Sequence, residues 1–425
     1  MKADSKKIWA WSFYDWANSA FSTTVMAGFF PIFFEKYWSD PNDVIQSTYQ
    51  LGWANSLASI VVAALAPFLG AIADRGSAKK KFLIFFCYLG VVMTGGLYMV
   101  AQGEWELAVL LYIASTIGFM GANIFYDSLL PSVAPRDKFN YVSSLGFAMG
   151  YIGGGLLFLV NVLMYLNPHW FGIADAPTAI KLSFLSVAVW WGVFTIPILL
   201  FVPEPSHPDT LPLGKAISAG YKQLKTTLGH IRRLKVIGVF LLAYWLYIDG
   251  VDTIVRMAVK MGSSLGFEAG DLITALLMVQ FIAFPAALGY NWFASKIGTK
   301  KSVLIAIGGY SAVTLLAYFM TAKLHFFILA AMIGLFQGGI QALSRSLYAR
   351  LIPRGQEAEF FGFYNMLGKF AAVVGPVMMG WVTLVTGNVR LGILSILILF
   401  IGGAYLLSKV DFDEGERLAR SFQTN

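Results

Sequence analysis

The sequence predicts an all-α membrane protein of twelve transmembrane helices, built as two six-helix bundles of the same orientation with both termini cytoplasmic. Three observations lead there. Of the 425 residues, 57% are hydrophobic and only 13% charged, with a mean hydropathy of +0.67, whereas a soluble domain carries about 25% charged residues. Apolar runs of about 20 residues, the length that crosses a bilayer, recur twelve times. Finally, an offset of 221 maps Lys79 and Lys80 onto Lys300 and Lys301 in two similar short loops, and a repeat that long indicates two fused half-proteins rather than a solenoid.

The runs lie at about 11–34, 50–73, 82–101, 107–132, 141–166, 180–202, 236–260, 270–295, 302–321, 325–350, 360–386 and 391–409. Without water to satisfy the backbone, such segments must be helical. With a cytoplasmic N-terminus, 23 of the 31 basic residues fall in cytoplasmic segments. Five (Lys36, Lys181, Lys260, Lys323, Arg390) fall outside, and Arg256, Arg345 and Lys369 fall within spans. That asymmetry orients the chain and accounts for the net charge of +8 without a nucleic-acid partner. The expected location is a multi-pass membrane position, the inner membrane if the chain is bacterial, with the lipid bilayer as its surroundings and a monomer as its state.

The first span carries Asp15 and Asn18 and lacks a small-residue cleavage site, so it reads as a helix rather than a cleavable signal. Cys87 is the single cysteine and forms no intramolecular disulfide. Trp9, Trp11, Tyr37, Trp38, Trp105, Trp190 and Trp191 cluster at span ends, as interfacial anchors do. Most other aromatics are expected to face lipid.

Residues 1–203 form the first bundle, 204–235 a basic linker, 236–410 the second bundle and 411–425 a tail. The linker opens with Pro203-Glu-Pro-Ser-His-Pro208, which stops the sixth helix, and its stretch from Lys215 to Lys235 suits an anionic membrane surface. The halves match again beyond the lysine loops. Ser128 to Arg136 aligns with Ser346 to Arg354 at an offset of 218, and Asp15-x-x-Asn18-Ser19 with Asp249-x-x-Asp252-Thr253 at 234. Two halves of equal orientation are parallel repeats about an axis along the membrane normal.

Ionisable groups inside spans are costly and mark function. There are seven here: Asp15, Asp127, Asp249, Asp252, Arg256, Arg345 and Lys369. Asp15, Asn18 or Ser19, and Ser22 share one helical face, read either as a packed polar face or as a cavity wall. In the seventh span, Asp252 and Arg256 stand four apart and suit an internal ion pair, which leaves Asp249 unmatched and suited to carry a coupling proton. The fourth span contributes Asn123, Tyr126 and Asp127, and the tenth Gln337, Gln341 and Arg345. The repeat maps Asp127 onto Arg345, so the pair could close the inner mouth as a gate. The alternative is that each is satisfied within its own half. Lys369, one turn beyond Asn365, could hold a substrate carboxylate or pair with an aspartate. Gly146, Gly150 and Gly154 let the fifth span approach a neighbour closely, and Gly375-Pro376 suits a kink in the eleventh.

Tyr14-Asp-Trp-Ala-Asn-Ser-Ala-Phe-Ser-Thr-Thr-Val25, Asn123-x-x-Tyr126-Asp127-Ser-Leu-Leu-Pro131 and Ser143-Ser-Leu-Gly146-x-x-x-Gly150-Tyr-x-Gly153-Gly154 resemble the vacuole-effluxer family of the major facilitator superfamily. That branch contains a fungal autophagy-linked vacuolar amino-acid exporter, and this chain reads as a compact, prokaryotic-type member. Gly70-x-x-x-Asp74-Arg75 resembles the superfamily's signature between helices two and three, although Gly76 comes one residue early. The resemblance implies the major facilitator fold and a latch at Asp74 and Arg75 that holds the outward-open state. It also implies an amino acid or similar zwitterion as the exported substrate. Three glycines stand in the fifth span where the antiporter signature has Gly-Pro, which leaves the direction open.

The expected function is therefore a secondary carrier working by alternating access, with a small-molecule substrate and a proton as coupling ion. An exporter of amphiphiles, drugs or lipids is the alternative, and a sensor without transport is a weaker one. His169, His207, His230 and His325 have no metal-ligand spacing, and there is neither a nucleophile elbow nor a phosphate-binding Gly-rich loop. No enzyme, ATP-driven pump, metal site or cofactor is expected.

Overall fold

The computed structural model describes residues 2–40, 43–205, 211–231, 235–264, 266–370 and 373–421, and every regular element among them is helical. The chain begins with α1 (Lys2–Ala20), which passes into π-helical turns at Phe21–Phe29 and Phe34–Trp38. It continues through α2 (Val44–Arg75), α3 (Lys79–Gly96), α4 (Trp105–Ser128), α5 (Phe139–Leu166) and α6 (Ala176–Phe194). The linker holds α7 (Leu213–Ile231). Then follow α8 (Lys235–Ser264), α9 (Ala269–Ile297), α10 (Thr299–Tyr318), α11 (Lys323–Leu351), α12 (Glu357–Phe370), α13 (Val374–Thr386), α14 (Leu397–Lys409) and α15 (Phe412–Ser421). Among the described residues, ten helices are long and apolar enough to cross a membrane. The eleventh apolar run is divided between α12 and α13, so the kink expected at Gly375-Pro376 is a break just ahead of it.

Local chemistry sets the ends. Asp43 and Asp175 accept from the backbone N–H of Gln46 and Thr178 and start α2 and α6. Gly298, at φ 92, turns the chain out of α9 and straight into α10, where any side chain would be strained.

Helix α1 packs on α5, α3 on α4 and α6, α8 on α14, and α11 on α9 and α10; the halves meet where α2 crosses α12 and where α5 meets α9 and α11. Glycines fix both kinds of contact. The partner of the fifth span is α1: a Cβ on Gly146 or Gly150 would stand 2.6 Å from Asp15 Oδ2 or from Ser19 Oγ. Between the halves, a Cβ on Gly70 would lie 2.3 Å from the Ala358 carbonyl oxygen, and one on Gly362 2.7 Å from that of Ala66. The α2 and α12 backbones therefore touch, and they do so at the end of the molecule that carries the lysine loops.

Three sequence expectations change. The lysine pairs are out of register by one. Lys80 Nζ donates to the Leu199 and Val202 carbonyls beyond α6, and Lys300 Nζ to those of Ser408 and Val410 at the end of α14. Lys80 thus matches Lys300, because three residues join α2 to α3 while Gly298 alone joins α9 to α10. An ammonium on exposed C-terminal carbonyls is favourable in both halves. Next, α7 lies on protein as well as facing outward: Ala216 and Gly220 are buried, with Gly220 against Ile72, and Lys215, Lys222 and Lys225 are exposed. Linker residues 206–210 and 232–234, including Arg232 and Arg233, lie outside those described. Lastly, Trp11, Trp38 and Trp191 are completely buried rather than interfacial, as are Phe21, Phe29 and Phe30, whereas Trp9 is 44% exposed. Within the first half Phe21 packs at a tilt on Trp191 and Phe30 at a tilt on Trp38, while Phe30 stacks on Tyr112.

Candidate functional site

A cavity of about 460 Å³ lies between the halves, lined from α1, α4 and α5 on one side and from α8, α9, α11 and α12 on the other. Of the residues expected in it, Asp15, Asn18, Ser19, Asn123, Tyr126, Asp252, Gln337 and Gln341 all line it. So do Asp127 and Arg345. Asn18 Nδ2 donates to Asn123 Oδ1 at 2.6 Å, and Tyr151 OH to Gln341 Oε1 at 2.8 Å. From α9 and α11, Leu272, Leu276, Val279, Phe326 and Ile333 add an apolar surface beside Gln280 and Gln337.

Arg345 closes the cavity toward the lysine-loop end. Its Nη1 meets Asp127 Oδ1 at 3.0 Å and its Nη2 meets Asp15 Oδ2 at 3.3 Å, with the guanidinium side chain only 3% exposed. Nε donates to Ser143 Oγ at 2.9 Å, and Nη2 donates to the Ser143 carbonyl at 3.0 Å. The guanidinium plane stands over the rings of Phe147, Trp11 and Tyr126 at 4.2, 4.8 and 5.5 Å, a cation–π contribution that strengthens where water is excluded. The carboxylates have further donors: Tyr126 OH reaches Asp15 Oδ2 at 2.7 Å, and Asn365 Nδ2 reaches Asp127 Oδ2 at 3.1 Å. A buried charge is tolerated only when paired and hydrogen-bonded in this way. Gly146 leaves the space into which the Asp15 carboxylate fits. Two carboxylates face one guanidinium, so one negative charge remains to be neutralised.

Asp249 departs from its expected place. It is 1% exposed and does not line the cavity. Its oxygens accept from the Val374 and Gly375 N–H groups, each at 3.0 Å, and from Thr253 Oγ1 at 3.1 Å. The break in the eleventh run creates free N–H groups at the start of α13, and Asp249 satisfies them from across the helix pair. Arg256 is exposed and is not among the residues that line the cavity. The Lys369 side chain lies outside those described.

Asp74 does the same for α12, accepting from the Ala358 and Glu359 N–H groups at 3.1 and 2.9 Å. Lys79 Nζ lies 3.0 Å from Asp74 Oδ1 and 2.7 Å from Glu357 Oε2, which ties the first half to the second. Arg75 does not join that ion pair: its Nε donates to Gln223 of α7, and Gln223 Nε2 donates to Glu359. Glu359 lies just before the eleventh apolar run, and burial pushes its carboxyl up to about 7 against the Gln223 hydrogen bond. Sequence reading missed Ser143, Trp11, Phe147, Lys79, Glu357 and Gln223. Ser143 stands in a motif that pointed to the family and to glycine packing but not to a role for the serine, and polar residues outside the spans carried no cost to flag them.

The family model described as vacuole effluxer Atg22 like matches residues 44–420. The chain belongs to that family. This Atg22-like chain is 39% identical to the MFS-type transporter YxiO of Bacillus subtilis (strain 168), over 96% of each protein. It is 24% identical to autophagy-related protein 22 of Yarrowia lipolytica (strain CLIB 122 / E 150), over 83% of this chain and 74% of that one. In fold it is similar to the proton:xylose symporter XylE, with a TM-score of 0.74 at 13% identity over 99% of both chains. The Atg22-like chain is thus a multi-pass membrane transporter of the major facilitator type, and the likeness to XylE shows the fold alone.

Proposed function

We propose that the chain is a secondary transporter working by alternating access, which exports a neutral amino acid or a similar small zwitterion in exchange for a proton. Twelve crossings are proposed, with α1 and its π-helical continuation as the first and the α12–α13 pair as the eleventh. The basic-residue asymmetry puts the lysine-loop end, with both termini, in the cytoplasm. On that reading the molecule is closed inside and its cavity faces outward.

The single observation that carries this reading is the Asp15–Arg345–Asp127 cluster between the halves. Opening the inner mouth requires that Arg345 leave Asp127, and a buried ion is released cheaply only when something replaces its partner. A zwitterion replaces both charges at once, its carboxylate taking the guanidinium and its ammonium an aspartate. A proton arriving from the outer side neutralises one of the two carboxylates, weakens the hold on Arg345 and favours the inward-open state. Asp249, held by three donors outside the cavity, fits a structural cap better than a proton carrier. The latch of Lys79 with Asp74 and Glu357 supports the same closed inner end.

The apolar surface of Leu272, Leu276, Val279, Phe326 and Ile333 favours substrates with an apolar side chain. It also carries the second reading, an exporter of amphiphiles. Flux of labelled leucine and of a labelled amphiphilic cation in proteoliposomes, each with and without an imposed pH gradient, separates the two readings. Gradient-driven flux of neither solute would count against both.

A further inference from the structure

The repeat that brings Asp127 opposite Arg345 also brings together a second equivalent pair, Arg136 and Arg354, and there the charges are alike. Both line one small cleft of about 70 Å³ at the seam between the halves on the lysine-loop side. Pro131 and Ala134 come from the first half, and their equivalents Ala349 and Ile352 from the second. The charge around it is lopsided. Arg350 and Arg354, at and beyond the end of α11, and Arg420 on α15 all repel Arg136, while Glu416 attracts it. Glu416 lies 4.0 Å from Arg136 Nη1, beyond hydrogen-bonding reach, and is shared with Arg420 at 3.4 Å. Glu357 also lines the cleft but is committed to Lys79 and to the Gly355 N–H. Two guanidinium N–H groups in this cluster, Arg136 Nη1 and Arg350 Nε, are buried without any protein acceptor.

Buried donors left unmade are costly, and guanidiniums drawn together from three segments repel one another. An oxyanion resolves both at once. Tetrahedral phosphate oxygens accept from several guanidiniums together, and arginine is suited to that geometry.

We propose that a phosphate-type oxyanion binds in this cleft, held between Arg136 of the first half and Arg354 of the second, with Arg350 and Arg420 supporting it. Because its ligands come from both halves, the anion holds the lysine-loop end shut and favours the conformer with the cavity open at the other end. Inorganic phosphate and the phosphodiester of an anionic lipid headgroup present the same chemistry, and the test separates them.

The measurement is the thermal stability of the purified full-length protein. Inorganic phosphate is titrated at constant ionic strength against chloride in a neutral detergent. In parallel, nanodiscs of phosphatidylcholine are compared with nanodiscs of phosphatidylcholine and phosphatidylglycerol. A saturable rise in Tm with phosphate identifies the free ion, and a rise only with phosphatidylglycerol identifies the headgroup. In either case Arg354→Gln, an exposed position that folding tolerates, weakens the half-saturating concentration or the lipid response about tenfold. Arg136→Gln/Arg354→Gln abolishes it, and Lys138→Gln, which is exposed and outside the cleft, leaves it intact. A Tm that responds to neither probe, or equally in Lys138→Gln and Arg354→Gln, overturns the proposal. Because the readout is stability rather than flux, it stands or falls separately from the transport reading.

Discussion

Arg345 Nη1 donates to Asp127 Oδ1 at 3.0 Å across a sequence separation of 218 residues, the same interval that superposes Ser128–Arg136 on Ser346–Arg354. The bond therefore joins equivalent positions of the two halves. A duplicated chain places identical residues face to face at such positions, and like charges there would repel. Divergence to opposite signs turns the symmetric site into a bond that exists only while this end is closed.

Removing the arginine should cost more than removing one acid. Arg345→Gln leaves Asp15 and Asp127 buried without their cation, a loss of about 3–5 kcal/mol. Adding Asp127→Asn should return part of that stability, with a coupling energy above roughly 1 kcal/mol in a double-mutant cycle read by denaturant unfolding. Strictly additive losses would mean that the pair is not energetically coupled.

Gly70→Ala tests the closure itself. The added methyl meets the Ala358 carbonyl oxygen at 2.3 Å, and backbone on both sides cannot yield as a flexible side chain would. The α2–α12 crossing should open, and a Ser22→Cys reporter in a Cys87→Ser background should lose labelling from the outer side by an impermeant maleimide. Labelling equal to that of the parent would show that the glycine contact does not set the state.

The two loop lysines should behave differently although they are neighbours. Lys79 bridges the halves through Asp74 and Glu357, whereas Lys80 caps carbonyls within its own half. Lys79→Gln should shift the same maleimide reporter toward the inward-open state; Lys80→Gln should lower Tm and leave the reporter unchanged. A reversed pattern would reassign the latch.

Glu359 makes stability depend on pH. Its carboxyl is raised by burial to about 7, above the roughly 4.3 of an unfolded glutamate. The fold therefore favours the protonated form, and the stability this contributes is full below the unfolded value and lost as pH rises through about 7. Tm should fall between about pH 4 and about pH 7 and level off above that, and Glu359→Gln should flatten part of that slope. Parallel slopes in the two proteins would remove Glu359 as the cause.

Much of this was legible before any coordinates. Hydropathy and the repeat give the helical membrane fold, because the bilayer leaves few choices, and charges inside spans stand out by their cost. Asp127 and Arg345 were readable as a pair because the repeat aligns them. Asp15 was readable as functional but not as their third member, since its partner lies 330 residues away and the repeat aligns Asp15 with Asp249 rather than with Arg345. Asp249 looked unmatched because the break at α13, which creates its two N–H donors, is only hinted at by Gly375-Pro376. Register in the lysine loops failed for a smaller reason. A one-residue glycine turn and a three-residue loop give similar sequences but place their lysines differently over the neighbouring helix ends.

The most direct test compares Asp127→Asn with Asp249→Asn in one proteoliposome assay of labelled leucine flux, with and without an inward proton gradient. The expected result is that Asp249→Asn lowers Tm yet keeps gradient-stimulated flux, whereas Asp127→Asn folds and exchanges leucine but no longer responds to the gradient. Gradient-dependent flux that survives in Asp127→Asn and disappears in Asp249→Asn would contradict the assignment of coupling to the Asp15–Arg345–Asp127 cluster.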